Sequence, residues 1–161
     1  MPDIVTPSVR RQMMAGIRSR NTKPELTIRK ALHKNGFRFR CNVPELPGKP
    51  DIVLPKYLAV IQIHGCLWHQ HECHLFSWPC KDDPVKSKFW HEKISGNKIR
   101  DNKNTDALRF AGWRVAVVWE CALKGKHKRD LGDVINQLSC WLLSDQALLD
   151  VQAHAPKQLS C

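Results

Sequence analysis

Short apolar runs with strand patterning alternate along the chain with polar stretches of helical spacing, the order expected of a mixed α/β protein. Thr22-Lys23-Pro24-Glu25 reads as a capping box that opens a helix running to Gly36, with Ile28, Ala31 and Leu32 as its inward stripe. Glu25 stands three residues before Ile28 and seven before Leu32, which sets its carboxylate above that stripe and off the solvent face. Residues 7–19 read as a short basic helix. Strands are predicted at Phe37–Arg40, Asp51–Leu54, Leu58–His64 and Trp113–Trp119, a polar helix at Asn97–Phe110 ended by Ala111-Gly112, and a last helix at Leu131–Leu143.

The Pro55-Lys56-Tyr57 connection is short enough to make a hairpin, which brings Asp51 close to Gln62. A strand, a crossover helix and the buried Val-Ala-Val-Val run of the last strand make a βαβ unit, whose strands run parallel and end at one sheet edge. Residues after His64 are therefore expected beside residues after Trp119. The fold class is a mixed α/β sheet with flanking helices. A length of 161 residues suits one domain, with a structured core over 7–144 and loosely ordered ends at 1–6 and 145–161.

Charge narrows the partner. Lys and Arg number 26 against 15 Asp and Glu, a formal net charge of +11, which favours a polyanion. No apolar run approaches the roughly 20 residues that span a bilayer, so no membrane role is expected and the chain reads as soluble. Met1–Thr6 lacks the basic and apolar regions of a secretory signal, so the seven cysteines are expected in a reducing compartment, as a metal site plus spare thiols.

His64-Gly65-Cys66-Leu67-Trp68-His69-Gln70-His71-Glu72-Cys73-His74 holds two cysteines and four histidines, and Cys121 follows the parallel strand that ends beside it. Cys66, His71, Cys73 and Cys121 can then converge as three thiolates and one imidazole, the closed tetrahedral set that structural Zn²⁺ prefers. Cys80 and His74 stand as substitutes for any one of them. Buried thiols beside surface histidines are the alternative reading.

Asp51 follows Gly48-Lys49-Pro50 at a strand start, and the next strand sets Gln62 and His64 on one face. This arrangement resembles the Pro-Asp…(Asp/Glu)-x-Lys core of restriction-type endonucleases, with Gln62 and His64 at the acidic and lysine positions. By itself, a turn aspartate satisfying backbone N–H groups explains Asp51 as well.

The whole pattern weighs differently. Met14 through Glu25, Leu46 through Asp51, His64 through His69, Phe89-Trp90 with Glu92-Lys93-Ile94, Asn97 with Arg100-Asp101, and Gly112 through Val115 leading into Val118 through Cys121 together resemble the very short patch repair (Vsr) endonucleases over about residues 8–144. The resemblance implies a restriction-endonuclease-like sheet with one structural zinc, and Mg²⁺-dependent nicking of one strand 5′ to the thymine of a T:G mismatch left by deamination of 5-methylcytosine. It implies Asp51 as the Mg²⁺ carboxylate, the backbone carbonyl of Ile63 as a second Mg²⁺ ligand, His69 as catalytic base, and His64 and Glu25 as supports of the water and phosphate network. Leu67 and Trp68 then match a wedge that pries the base stack, Met14 its minor-groove counterpart, and Lys93 and Asn97 positions that contact the mismatched bases.

Three departures stand out: Ile63 where threonine is frequent, Leu67 where phenylalanine is frequent, and the unusual Gln62. Core packing is the plain alternative for Trp68 and Met14. The resemblance further implies a cytoplasmic, nucleoid-associated protein of bacterial or phage origin, acting on double-stranded DNA with mismatch-repair proteins of the MutL class and a DNA polymerase; the chain shows no obvious dimerisation helix, so a monomer is expected. Two other functions fit parts of the pattern. A non-catalytic zinc-containing DNA-binding module would keep the charge and the Cys/His cluster, and a restriction-type nuclease would cut matched DNA.

Overall fold

The computed structural model describes residue 8 and residues 22–153. The basic helix expected at 7–19, and Met14 with it, lies outside the described residues except for Ser8. Helix α1 spans Lys23–Lys34; the side chain of Thr22 accepts from the Glu25 N–H, and Pro24 stands in its first turn. Gly36, at φ +90°, ends it as expected, since only a residue without Cβ adopts that backbone freely. Ile28 and Leu32 are fully buried, and Glu25 and Arg29 extend the buried stripe by one charged pair.

Among the described residues five strands form one sheet in chain order: β1 (Arg40–Cys41), β2 (Ile52–Leu54), β3 (Ala59–His64), β4 (Arg114–Trp119) and β5 (Leu148–Val151). The first three pair antiparallel, while β3/β4 and β4/β5 are parallel, with His64 opposite Trp119 as the βαβ reading requires. A 3-10 turn at Pro55–Tyr57 closes the expected β2–β3 hairpin. β1 is shorter than Phe37–Arg40 suggests: Phe37 instead packs into the core beside Tyr57.

Two elements differ more. Helix α2 spans Pro84–Phe110, thirteen residues longer at its start than expected, and Asp83 caps it by accepting from the Val85 and Lys86 N–H groups. Its buried residues are Ile94 and Leu108, so there is no apolar stripe for periodicity to detect, although Asp83-Pro84 is itself a start signal. Residues 145–161 were expected to be loosely ordered, yet 148–151 form β5, whose backbone completes the open edge of β4. Helix α3 (Leu131–Leu142) matches its expected span closely.

The sheet is sandwiched. Ile52, Leu54, Ile61, Ala116 and Val118 meet Ile28 and Leu32 of α1 and Val134, Leu138 and Trp141 of α3 on one face. Val53, Val60 and Val115 meet Leu108 of α2 on the other. Arg114 ties the layers by donating to the carbonyls of Tyr57, Trp141 and Leu142, which satisfies the carbonyl end of α3. No described helix is long and apolar enough to cross a membrane.

Candidate active site and metal centre

The three parallel strands end together, and their exits carry the polar chemistry. Ligands gather at the carboxyl ends of strands because loops diverge there and leave room. The loop after β3 supplies Cys66, His71 and Cys73, and the turn after β4 supplies Cys121. The one ligand atom each offers lies within 4.8 Å of all the others. A tetrahedral ion with Zn–S of about 2.3 Å sets its ligand atoms roughly 3.8 Å apart, and Nδ1 of His71 lies 3.6 Å from Sγ of Cys121. Cys73 Sγ also accepts the Leu75 N–H at 3.4 Å. The donor set and spacing thus fit a closed, thiolate-rich divalent site.

Cys66 and Cys121 are fully buried, and burial raises both thiols above their ordinary range, so without a cation they keep their protons. A bound divalent cation would replace those protons. Neither substitute belongs to the group: Cys80 is exposed, and His74 packs edge-on against His127. Of the cysteines expected to be spare, Cys41 is an exposed free thiol, whereas Cys140 is disulfide-bonded.

A second cluster lies at the other end of the β3 loop. Asp51 precedes β2, and its Oδ2 accepts the Ile63 N–H at 2.7 Å across the hairpin mouth. Its pKa rises from 3.8 to about 7, chiefly through burial; the Ile63 N–H opposes the rise, the Glu25 carboxylate adds to it, and Arg29 and His69 oppose it. Arg29 donates to Oε2 of Glu25 at 3.1 Å and to the Asp51 carbonyl at 3.3 Å, locking α1 to the hairpin. Two carboxylates held out of water within electrostatic reach make a site that a divalent cation relieves.

His64 and His69 stack with ring centres 3.9 Å apart and planes 5° apart, and His69 Nδ1 lies 2.5 Å from Oδ2 of Asp101 on α2. Lone pairs on imidazole lie in the ring plane, so two parallel stacked rings do not aim at one ion. The His69–Asp101 pair is therefore better suited to proton transfer than to ligation. Burial holds His64 down to about pKa 3, which makes it a neutral group at working pH. Gln62 is buried on the same strand. A cleft of about 350 Å³ opens beside His64, His69, Asp101 and Trp119.

The wedge candidates sit on the rim. Trp68 is half-buried, with its ring centre 5.8 Å from that of Trp90, and Leu67 beside it is half-buried too. Lys93 Nζ lies 5.4–5.8 Å from the ring centres of Trp68, Trp90 and Phe89, within cation–π range. Asn97 donates to the Trp68 carbonyl at 3.0 Å and accepts from Arg100 at 2.6 Å, so it braces the loop that carries Trp68.

Sequence reasoning gave no role to Asp101, Trp90 or Arg29. The signals were present: Asp101 stands four residues after Asn97 and Trp90 seven before it on one helix, and Arg29 four after Glu25.

A basic α/β chain with a largely desolvated carboxylate pair at a hairpin mouth and a histidine–carboxylate couple beside it is of the kind that nucleic-acid hydrolases use. The family model for DNA mismatch endonuclease Vsr matches residues 2–75. DNA mismatch endonuclease Vsr of Escherichia coli (strain K12) is 37% identical over 154 residues, covering 96% of each chain. Type II nicking enzyme V.XorIIP of Xanthomonas oryzae pv. oryzae is 45% identical over 123 residues, 76% of this chain and 88% of that protein. Type II nicking enzyme V.NmeAIP of Neisseria meningitidis serogroup A is 48% identical over 126 residues, 78% of this chain and 87% of that protein. The chain belongs to the family of DNA mismatch endonuclease Vsr.

Proposed function

We propose that the protein nicks one strand of duplex DNA 5′ to the thymine of a T:G mismatch, with Mg²⁺ at Asp51 and a structural Zn²⁺ on Cys66, His71, Cys73 and Cys121. The observation that carries the reading is the placement of Asp51 at the hairpin mouth with Glu25 and His69 each within electrostatic reach of it. Mg²⁺ held by Asp51 and the Ile63 carbonyl would neutralise charge that builds on the phosphate. His69 removes the proton of the attacking water at Nε2, because Asp101 occupies Nδ1 and fixes the tautomer. His64 stacks beneath it as a neutral plate, and Glu25, tethered by Arg29, orients water and phosphate.

Mismatch recognition falls to the rim. A T:G wobble stacks weakly, so a wedge of Leu67 and Trp68 backed by Trp90 opens it at lower cost than a matched pair. Lys93 beside these rings supplies the cation and the hydrogen-bond donor that a displaced base edge accepts. Met14 completes the wedge from the minor-groove side. The protein acts as a single-domain monomer in the bacterial cytoplasm, upstream of resynthesis by a DNA polymerase and alongside MutL-class repair proteins.

One experiment tests the core of this reading: a labelled T:G duplex and its T:A control, each incubated with the protein with and without Mg²⁺. A nick confined to the thymine strand of the T:G duplex, and only with Mg²⁺, is the expected result. Equal cutting of both duplexes would leave a restriction-type nuclease. Binding without cutting would leave a zinc DNA-binding module.

A further inference from the structure

We infer that Gln152, immediately after β5, is a positioning residue of the metal centre that holds His71 in its ligating tautomer. The inference rests on the metal reading of the Cys66–His71–Cys73–Cys121 cluster. His71 Nδ1 faces Cys121 Sγ at 3.6 Å, and a nitrogen that ligates a cation carries no proton. The ring proton then sits on Nε2. Oε1 of Gln152 lies 2.9 Å from that nitrogen and accepts the N–H.

The rest of the setting fixes the ring in space. Trp119, the last residue of β4, stacks on His71 with centroids 4.1 Å apart and planes 10° apart, and its indole N–H donates to Asp150 of β5 at 2.5 Å. Val151 pairs with Val118 and is fully buried, so the backbone that carries Gln152 is anchored one residue before it. All three parallel strands thus serve one centre: the β3 exit gives three ligands, the β4 exit gives the fourth, and the β5 exit gives the acceptor that orients the imidazole. An outer partner of this kind raises the basicity of the ligand nitrogen and removes the cost of choosing its tautomer, and its loss typically weakens metal binding 10–100-fold. A consequence is coupling: the cation and β5 stabilise each other, because each orders the same ring.

The test uses full-length protein reconstituted with Zn²⁺, or with Co²⁺ for its absorption bands, titrated against a competing chelator. Gln152→Leu fills similar space without an acceptor and should weaken metal binding about 10–100-fold, while Gln152→Glu, which keeps an acceptor, should restore it to near the parent value. Thermal unfolding of the metal-free proteins should show parent and both variants alike, which assigns the loss to the metal. A Leu variant that binds as tightly as the parent, or a Glu variant as weak as the Leu variant, overturns the role of Gln152. A parent protein that takes up neither cation overturns the metal reading as well.

Discussion

Asp51 illustrates how burial sets chemistry at the scale of one residue. Its carboxyl ionises near pH 4 in the unfolded chain and near pH 7 in the metal-free fold, so between those values the folded state binds more protons than the unfolded one. Stability of the metal-free protein therefore falls as pH rises through that window and stays low above it. Asp51→Asn should abolish nicking, leave mismatch binding largely intact, and stabilise the metal-free fold at pH 8 by about 2–4 kcal/mol, an advantage that fades below about pH 4. Denaturant melts across pH with a constant difference would refute the electrostatic account. His69→Ala should lower the single-turnover rate about 10²–10⁴-fold with an unchanged Mg²⁺ requirement. Asp101→Asn, which removes the partner of Nδ1, should lower the rate and change its pH profile, and a parent-like profile would remove Asp101 from the mechanism. Trp68→Ala should cost discrimination between T:G and T:A duplexes more than it costs overall affinity, because affinity comes mainly from phosphate contacts. An equal loss on both duplexes would make Trp68 a packing residue.

Elements were legible in proportion to how strongly local chemistry marked them. The capping residues Thr22 and Glu25, the glycine after α1, and the β-branched runs of β3 and β4 are local signals, and those elements appear as expected. The first half of α2 carried no apolar stripe, since this helix lies along the surface and buries little. β5 is a short strand with two exposed residues, one half-buried and only Val151 buried, and it pairs with the free edge of β4, which no window of sequence reveals. The loop from Cys66 to Cys73 has little core of its own, with Cys66, Cys121 and Ala153 as its buried centre. Cys121→Ala should accordingly lower the melting temperature and the nicking activity together, and chelation should release both from the parent. Unchanged melting after exhaustive chelation would count against a structural cation.

For the whole molecule, the net charge of +11 implies that binding to any duplex weakens steeply with salt, whereas the preference for T:G over T:A should change far less. Measuring both affinities across salt concentrations checks this, and a preference that collapses with the electrostatics would place recognition in phosphate contacts instead of the wedge. On the proposed reading the basic exterior and the sheet-end site would divide the labour: phosphates would set where the duplex lies, and the rim where Lys93 and Trp90 pack on Trp68 would meet the bases.

The sequence by itself determined the mixed α/β class, the antiparallel hairpin, the parallel return beside it, and the grouping of Cys66, His71, Cys73 and Cys121, because each follows from spacing within an element or from one crossover rule. Tertiary structure alone decided what surrounds those residues. That burial pushes the Asp51 carboxyl up to about 7, that His64 is held neutral and lies flat on His69, and that Asp101 of α2, Arg29 of α1 and Gln152 after β5 come together around His69, Glu25 and His71, are consequences of packing. Desolvation and hydrogen-bond partnership depend on neighbours up to 81 residues away along the chain, and no local pattern encodes them.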